Sequence, residues 1–172
     1  MKEADIREHF EKVRNGDKEA FKYIFNEYKK PVFTVVCRIL GDIQTAEDIT
    51  QEVFVKLFFS PPDSSVKNTR AWIFKIARNL SIDALRKKQS LSIDDVELTA
   101  DDTCDEIVLR LDLDVAMKKL TDIQRQVVTL HLNGGLTFSE IAFITGLSLS
   151  AAFRSYRKAL ETLREILDGG AL

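Results

Sequence analysis

Apolar residues recur along the chain at spacings of three and four, the period of an α-helix, and no segment shows the alternation of a half-buried strand. Asp17, after Asn15 and Gly16, holds the N-cap position of a helix whose apolar face is Phe21, Ile24, Phe25 and Tyr28. Pro31 suits the first turn of a separate helix over 31–40, which Gly41 ends. Thr45 with Asp48 three residues on resembles a capping box opening a helix over 46–59. Pro61, Pro62 and the polar residues after them break the period, and Asn68 or Thr69 caps the next helix, WIFKIARNLSIDALRKK. From Gln89 to about Asp102 the period is lost. Thr103 and Glu106 have capping-box spacing before a helix through Ile107, Val108, Leu111 and Val115, and a short helix follows over 123–132. Thr137 and Glu140 repeat that spacing ahead of Ile141, Ala142 and Ile144. Gly146 then offers a left-handed turn into a long helix over 149–167.

Composition narrows the class. An apolar fraction of 45% in 172 residues supports a core, 30% charge supports a solvated surface, and seven Gly with three Pro are too few for a disordered chain. The charged N-terminus does not fit a signal peptide, and no apolar run approaches the roughly 18 residues of a membrane span. Cys37 and Cys104 lie far apart without metal-binding spacing, which fits a reducing cytosol. A cytoplasmic protein is expected, with no membrane insertion. His9 and His131 are the two histidines and neither has a nucleophile or metal-ligand spacing nearby, so neither an enzyme nor a cofactor is expected. Charge is unevenly placed. Residues 1–90 carry 17 Lys/Arg against 13 Asp/Glu, residues 91–115 one against nine, and residues 116–172 seven against five. Two mildly basic blocks therefore flank an acidic connector, although a mildly basic block is by itself most simply a solvated surface.

Two stretches sharpen this picture. On a wheel of about 100° per residue, Ile73, Ile76, Ala77, Leu80 and Ala84 share one side of the helix containing Trp72. Lys75, Asn79 and Arg86 gather within roughly 40° on another side, with Arg78 and Ile82 beside them. Cations one turn from an amide suit nucleic acid, because cations hold phosphates while the amide offers a donor and an acceptor to a base. Trp72 can pack in the core or stack on a base, with the core favoured. Arg86, Lys87 and Lys88 also complement the helix C-terminus. Further on, helix, Gly turn and longer helix form a helix-turn-helix pattern over 137–167. Ala152, Tyr156, Ala159, Leu160, Leu163 and Leu167 make its expected core stripe. That leaves Ser150, Phe153, Arg154, Arg157 and Lys158 outward near the start of the second helix, where recognition helices meet base edges.

TAEDITQEVFVKLF, AWIFKIARNLSIDALRKK and LTDIQRQVVTLHLNGGLTFSEIAFITGLS occur in the order of three motifs of the extracytoplasmic-function sigma factors, which the chain resembles over nearly its whole length. The resemblance implies an all-α fold of two small helical domains, residues 1–90 and 106–172, joined by an acidic linker over 91–105. It implies an alternative sigma factor that binds core RNA polymerase and directs promoter-specific initiation by −10 and −35 recognition and promoter opening, with an anti-sigma factor as a further partner. Asp48, Gln51 and Glu52 would dock the polymerase. Asp48 and Glu52 are four residues apart, a like-charge pair that costs stability unless used. Lys75, Arg78, Asn79 and Arg86, with the loop over 59–70, would read the −10 element and hold an extruded base. Ser150, Phe153, Arg154, Arg157 and Lys158 would read the −35 element.

The chain departs from the family in that second helix. Phe153 and Ser155 replace cations, Arg154 adds one, and Thr121 stands where the family usually has Pro. Phe153 suits either thymine methyls or a partner protein. The linker has two readings, a self-repelling tether or an acidic segment occupying a basic polymerase channel. The rival function is a sigma-like regulator that binds polymerase or an anti-sigma factor without reading promoters.

Overall fold

The computed structural model describes residues 3–91 and 111–169, and every regular element among them is a helix. In order these are α1 (Glu3–Arg14), α2 (Lys18–Leu40), α3 (Ile43–Phe59), α4 (Thr69–Leu91), α5 (Leu111–Lys118), α6 (Asp122–Leu132), α7 (Phe138–Thr145) and α8 (Leu149–Gly169). Apart from Leu91, which lies in α4, the acidic linker falls outside the described residues, as do Cys104 and the Thr103–Glu106 capping box.

The caps explain most boundaries. The Asp17 carboxylate accepts from the Glu19 and Ala20 amides at 2.9 and 3.2 Å to start α2. Gly41, at φ 71°, donates its N–H to the Cys37 carbonyl at 2.7 Å and ends it. Between these caps the helix is continuous, and Pro31 lies inside it rather than opening a second one. An interior proline costs about 3 kcal/mol through a lost hydrogen bond and a ring clash. Ile24, Tyr28, Val32, Val35 and Val36 are buried on both sides of it. At about 1.5–3 kcal/mol for each large apolar side chain, that stripe outweighs the break. Cys37 is fully buried on the same helix.

α3 begins three residues earlier than the spacing predicts. Asp42 is its cap, accepting from the Gln44 amide at 3.2 Å and from the Thr45 hydroxyl, so Thr45 supports that cap instead of being one. Asn68 caps α4 by accepting from the Ala71 amide at 2.8 Å. Thr121 and Gln124 form a full capping box on α6, and the Thr121 N–H donates to the Gln124 carboxamide at 2.9 Å. The N–H that a proline would lack is therefore used.

One apolar core runs through both halves. Ile6, Phe10, Ile24, Val32, Val35 and Phe74 belong to the same buried cluster as Val127, Leu130, Leu136, Ile141 and Ile144. A smaller cluster of Ala116, Met117, Leu120, Val128, Ala159 and Leu163 ties α5 and α6 to α8. Leu160 and Leu167, expected in the α8 stripe, are instead 39% and 44% exposed. Ala152 and Ala159 bring α8 close to its neighbours, and the buried strip is correspondingly narrow.

Candidate nucleic-acid interface

α4 buries Ala71, Ile73, Phe74, Ala77 and Ser81, and Trp72 is half-buried at the margin of the core. Its opposite side presents the candidate −10 residues. Asn79 is exposed and its Oδ1 accepts from Arg78 Nη1 at 3.3 Å. Arg86 is exposed near the far end of the helix, with a loose 3.9 Å contact to Asp83. At 1.5 Å rise per residue, Arg86 is about 16 Å along the helix from Lys75, so the four residues track a line and do not form a point cluster.

The line is partly covered by the second half of the chain. Lys75 Nζ lies 4.1 Å from the ring centre of Phe143 on α7, a cation–π contact. Arg78 Nε donates to the buried Gln126 side chain on α6 at 2.9 Å. Burial first, then the charge of Arg86, lowers the Arg78 guanidinium from its ordinary value, though arginine stays charged at neutral pH. Arg70 donates to the Gly134 carbonyl at 2.5 Å, and Asn68 Nδ2 donates to Glu140 Oε1 at 2.6 Å. Burial pushes the Glu140 carboxyl up, but hydrogen bonds from Asn68 and Thr137 with the charge of Arg70 outweigh it and hold the group below 4.5. These contacts were not legible in α4 alone, since each partner lies at least 48 residues away.

The helix-turn-helix follows the expected caps. Thr137 and Glu140 form a capping box on α7, Gly146 turns at φ 76°, and the Ser148 hydroxyl accepts from the Ala151 amide at 3.2 Å to start α8. Ser150, Phe153, Arg154, Arg157 and Lys158 are all exposed on its first turns. Arg157 is loosely paired with Glu161 at 3.7 Å. Phe153, 47% exposed, rests edge-on against Phe138 at 5.3 Å, and Phe138 stacks on His131 at 4.7 Å. The side chain that replaces a family cation is thus braced from below.

On α3, Asp48, Gln51 and Glu52 are exposed together. Glu52 faces a cleft shared with Arg86 and Lys87, while Gln51 borders an apolar groove lined by Phe25, Phe33 and Phe54. Sequence reasoning missed this groove. Its signal was present in Phe21 and Phe25 on α2 and Phe54 and Phe58 on α3, two pairs four residues apart that meet edge to face. No group of three or more potential metal ligands occurs among the described residues. No described helix is long and apolar enough to cross a membrane.

Residues 24–91 match the family model Sigma-70 region 2, and residues 116–165 match Sigma-70, region 4. The chain is 29% identical to the ECF RNA polymerase sigma factor SigK of Mycobacterium bovis, covering 96% of this chain and 95% of that protein. It is 28% identical to the ECF RNA polymerase sigma factor SigW of Bacillus subtilis, over 94% and 96% of the two chains. Its fold is similar to that of CnrH in complex with the cytosolic domain of CnrY, with a TM-score of 0.72 at 20% identity over 96% and 98% of the chains. The sigma factor RpoE in complex with the anti-sigma factor NepR, from Bartonella quintana, gives 0.72 at 22% identity over 86% and 96%.

Proposed function

We propose that this chain, which belongs to the sigma-70 family as an extracytoplasmic-function sigma factor, reads a −10 element with α4 and a −35 element with α8 while docked on core RNA polymerase through α3. It is an alternative sigma factor directing promoter-specific transcription. The observation that carries the residue-level reading is the α4 surface, where Asn79 is exposed between Lys75 and Arg86 and adjoins Arg78. Lys75, Arg78 and Arg86 neutralise phosphates along the strand, and the Asn79 amide reads an unstacked base held against the loop over 59–70. Asp48, Gln51 and Glu52 meet the polymerase. Ser150, Phe153, Arg154, Arg157 and Lys158 enter the major groove at the −35 element.

Residues 1–90 and 106–172 act as the two functional halves, and the chain works in the cytoplasm, where core polymerase is found. The covered state of α4 supports a step in which polymerase binding separates the halves before promoter contact. Two solved proteins of this fold carry a bound partner, CnrY on CnrH and the anti-sigma factor NepR on RpoE. An anti-sigma factor is proposed for this chain as well. The altered residues Phe153 to Ser155 favour a second reading, a sigma-like regulator that binds polymerase or an anti-sigma factor without reading promoters.

Run-off transcription with core polymerase on genomic fragments, with start sites mapped, tests both readings. Asn79→Ala should reduce promoter opening and leave holoenzyme assembly intact, whereas Asp48→Ala with Glu52→Ala should weaken assembly itself. Normal opening by the Asn79 variant refutes the −10 assignment. A holoenzyme that starts at no specific site on any fragment selects the second reading.

A further inference from the structure

α1 lies ahead of the residues matched by the region 2 family model, which begin at 24. It carries two adjoining stripes. Ile6 and Phe10 are fully buried, with Val13 packed beside them, and these fix α1 to the core. Glu3, Arg7 and Arg14 fall within about 40° of one another on the neighbouring side of the helix. Arg7 and Arg14 reach the segment between α3 and α4, and Glu3 reaches the first turn of α4. The Glu3 carboxylate accepts from the Thr69 and Arg70 amides at 2.5 and 3.3 Å, adding an acceptor and a negative charge at the N-terminus of α4. Arg7 donates to the Lys67 carbonyl at 2.5 Å, and Arg14 donates to the Pro62 carbonyl.

Both ends of the loop are therefore pinned to one helix. Its middle closes on itself, with the Ser65 amide donating to the Asp63 carboxylate at 2.7 Å and the Val66 amide to the Asp63 carbonyl at 3.2 Å. Pro62 is buried, so the start of the loop also has an apolar foot. A loop without regular structure holds one shape only when its backbone groups have partners, and α1 supplies partners for two of its carbonyls and for the two amides that open α4.

We propose that Glu3, Arg7 and Arg14 are positioning residues for base capture, holding the loop over 60–70 in the shape that receives the extruded −10 base beside Asn79. The inference rests on the −10 reading given above. A pocket formed in advance captures an unstacked base without first ordering its own wall. α1 touches no DNA in this role. It acts through the loop.

The test uses full-length protein assembled with core polymerase on a promoter obtained by start-site mapping. Arg7→Ala with Arg14→Ala is compared with Arg7→Lys with Arg14→Lys, which keeps a cationic donor at each position, and with Glu3→Gln. Holoenzyme assembly, amide exchange of residues 60–70, permanganate reactivity of the opened −10 region, and discrimination between native and single-base −10 variants are measured. The alanine pair should assemble normally, exchange faster in the loop and lose opening by about 2- to 10-fold per bond, the range an ordinary hydrogen bond sets. Its preference among −10 bases should narrow, and the lysine pair should restore most of it. Unchanged loop exchange overturns the proposal. So do faster exchange with normal opening, and lost opening with undiminished base discrimination. Asn79→Ala, run alongside, tells the two failures apart. If that variant is impaired while the alanine pair opens normally, only the positioning role falls. If both behave as wild type, the −10 reading has failed with it.

Discussion

Replacing Glu140 by Gln isolates one bond between the two halves of the chain. The carboxylate holds the α7 cap with Oε2, accepting from the Thr137 amide at 2.6 Å and its hydroxyl at 2.7 Å, and accepts from Asn68 with Oε1 at 2.6 Å. A glutamine oxygen can keep the Thr137 amide, as capping boxes allow. Its NH₂ then faces the Asn68 NH₂, two donors with nothing between them. Asn68 cannot turn over to help, because its Oδ1 caps α4 through the Ala71 amide at 2.8 Å. A hydrogen bond to a charged group contributes about 1.5–3 kcal/mol when buried. Glu140 is only half-buried, and solvent screening reduces the expected loss to about 1 kcal/mol. That corresponds to roughly a fivefold rise in the ratio of separated to closed halves. Donor and acceptor dyes on α3 and α8 would read this ratio in the free protein, with Thr137→Ala controlling for damage to the cap alone. The sign with pH is fixed, since a carboxyl held below 4.5 stabilises closure above that value and loses its contribution as pH falls through the lowered one. An unchanged ratio in Glu140→Gln, or closure indifferent to acid, would refute the reasoning.

Gly135→Ala should lower stability by about 1–2 kcal/mol in thermal unfolding, because its φ of 61° is left-handed and a Cβ would lie 2.5 Å from the Arg70 guanidinium. Phe153→Ala should lower −35-dependent promoter activity and have no effect on a template whose −35 element has been scrambled. Burial pushes the Tyr28 phenol up to about 12, so its contribution to stability is complete below pH 10 and is lost as pH rises toward that value. Phenolate absorbance should show one of the three tyrosines titrating late, and Tyr28→Phe should remove that phase.

Signals carried within one turn of helix were legible in the sequence. Asp17, Gly41, the Thr137–Glu140 box and Gly146 each work through backbone groups two to four residues away, and each is found in its expected role. Local signals misled where packing or a stronger neighbour decided. Pro31 reads as a start, but the buried stripe continues through it. Thr45 reads as a cap, but Asp42 presents a carboxylate three residues earlier. The compact polar side of α4 was visible on a helical wheel, yet its covering was not. Phe143 and Gln126 reach Lys75 and Arg78 only after the two halves share a core. The bracing of the 60–70 loop was hidden for the same reason, since Arg14 meets Pro62 across 48 positions of sequence.

The contact between Lys75 and Phe143 has a consequence for how this chain can change over time. One ammonium group serves the closed protein through an aromatic ring and is assigned to DNA phosphate in the open one, so the two uses compete for the same side chain. A substitution at position 75 that strengthened its hold on a promoter would also reset how readily the halves part. Phe143 carries the reverse linkage, for it is itself assigned no DNA contact, yet altering it frees the cation. Variation at position 143 therefore offers a route to retune how readily the factor engages a promoter without rewriting which promoter it engages.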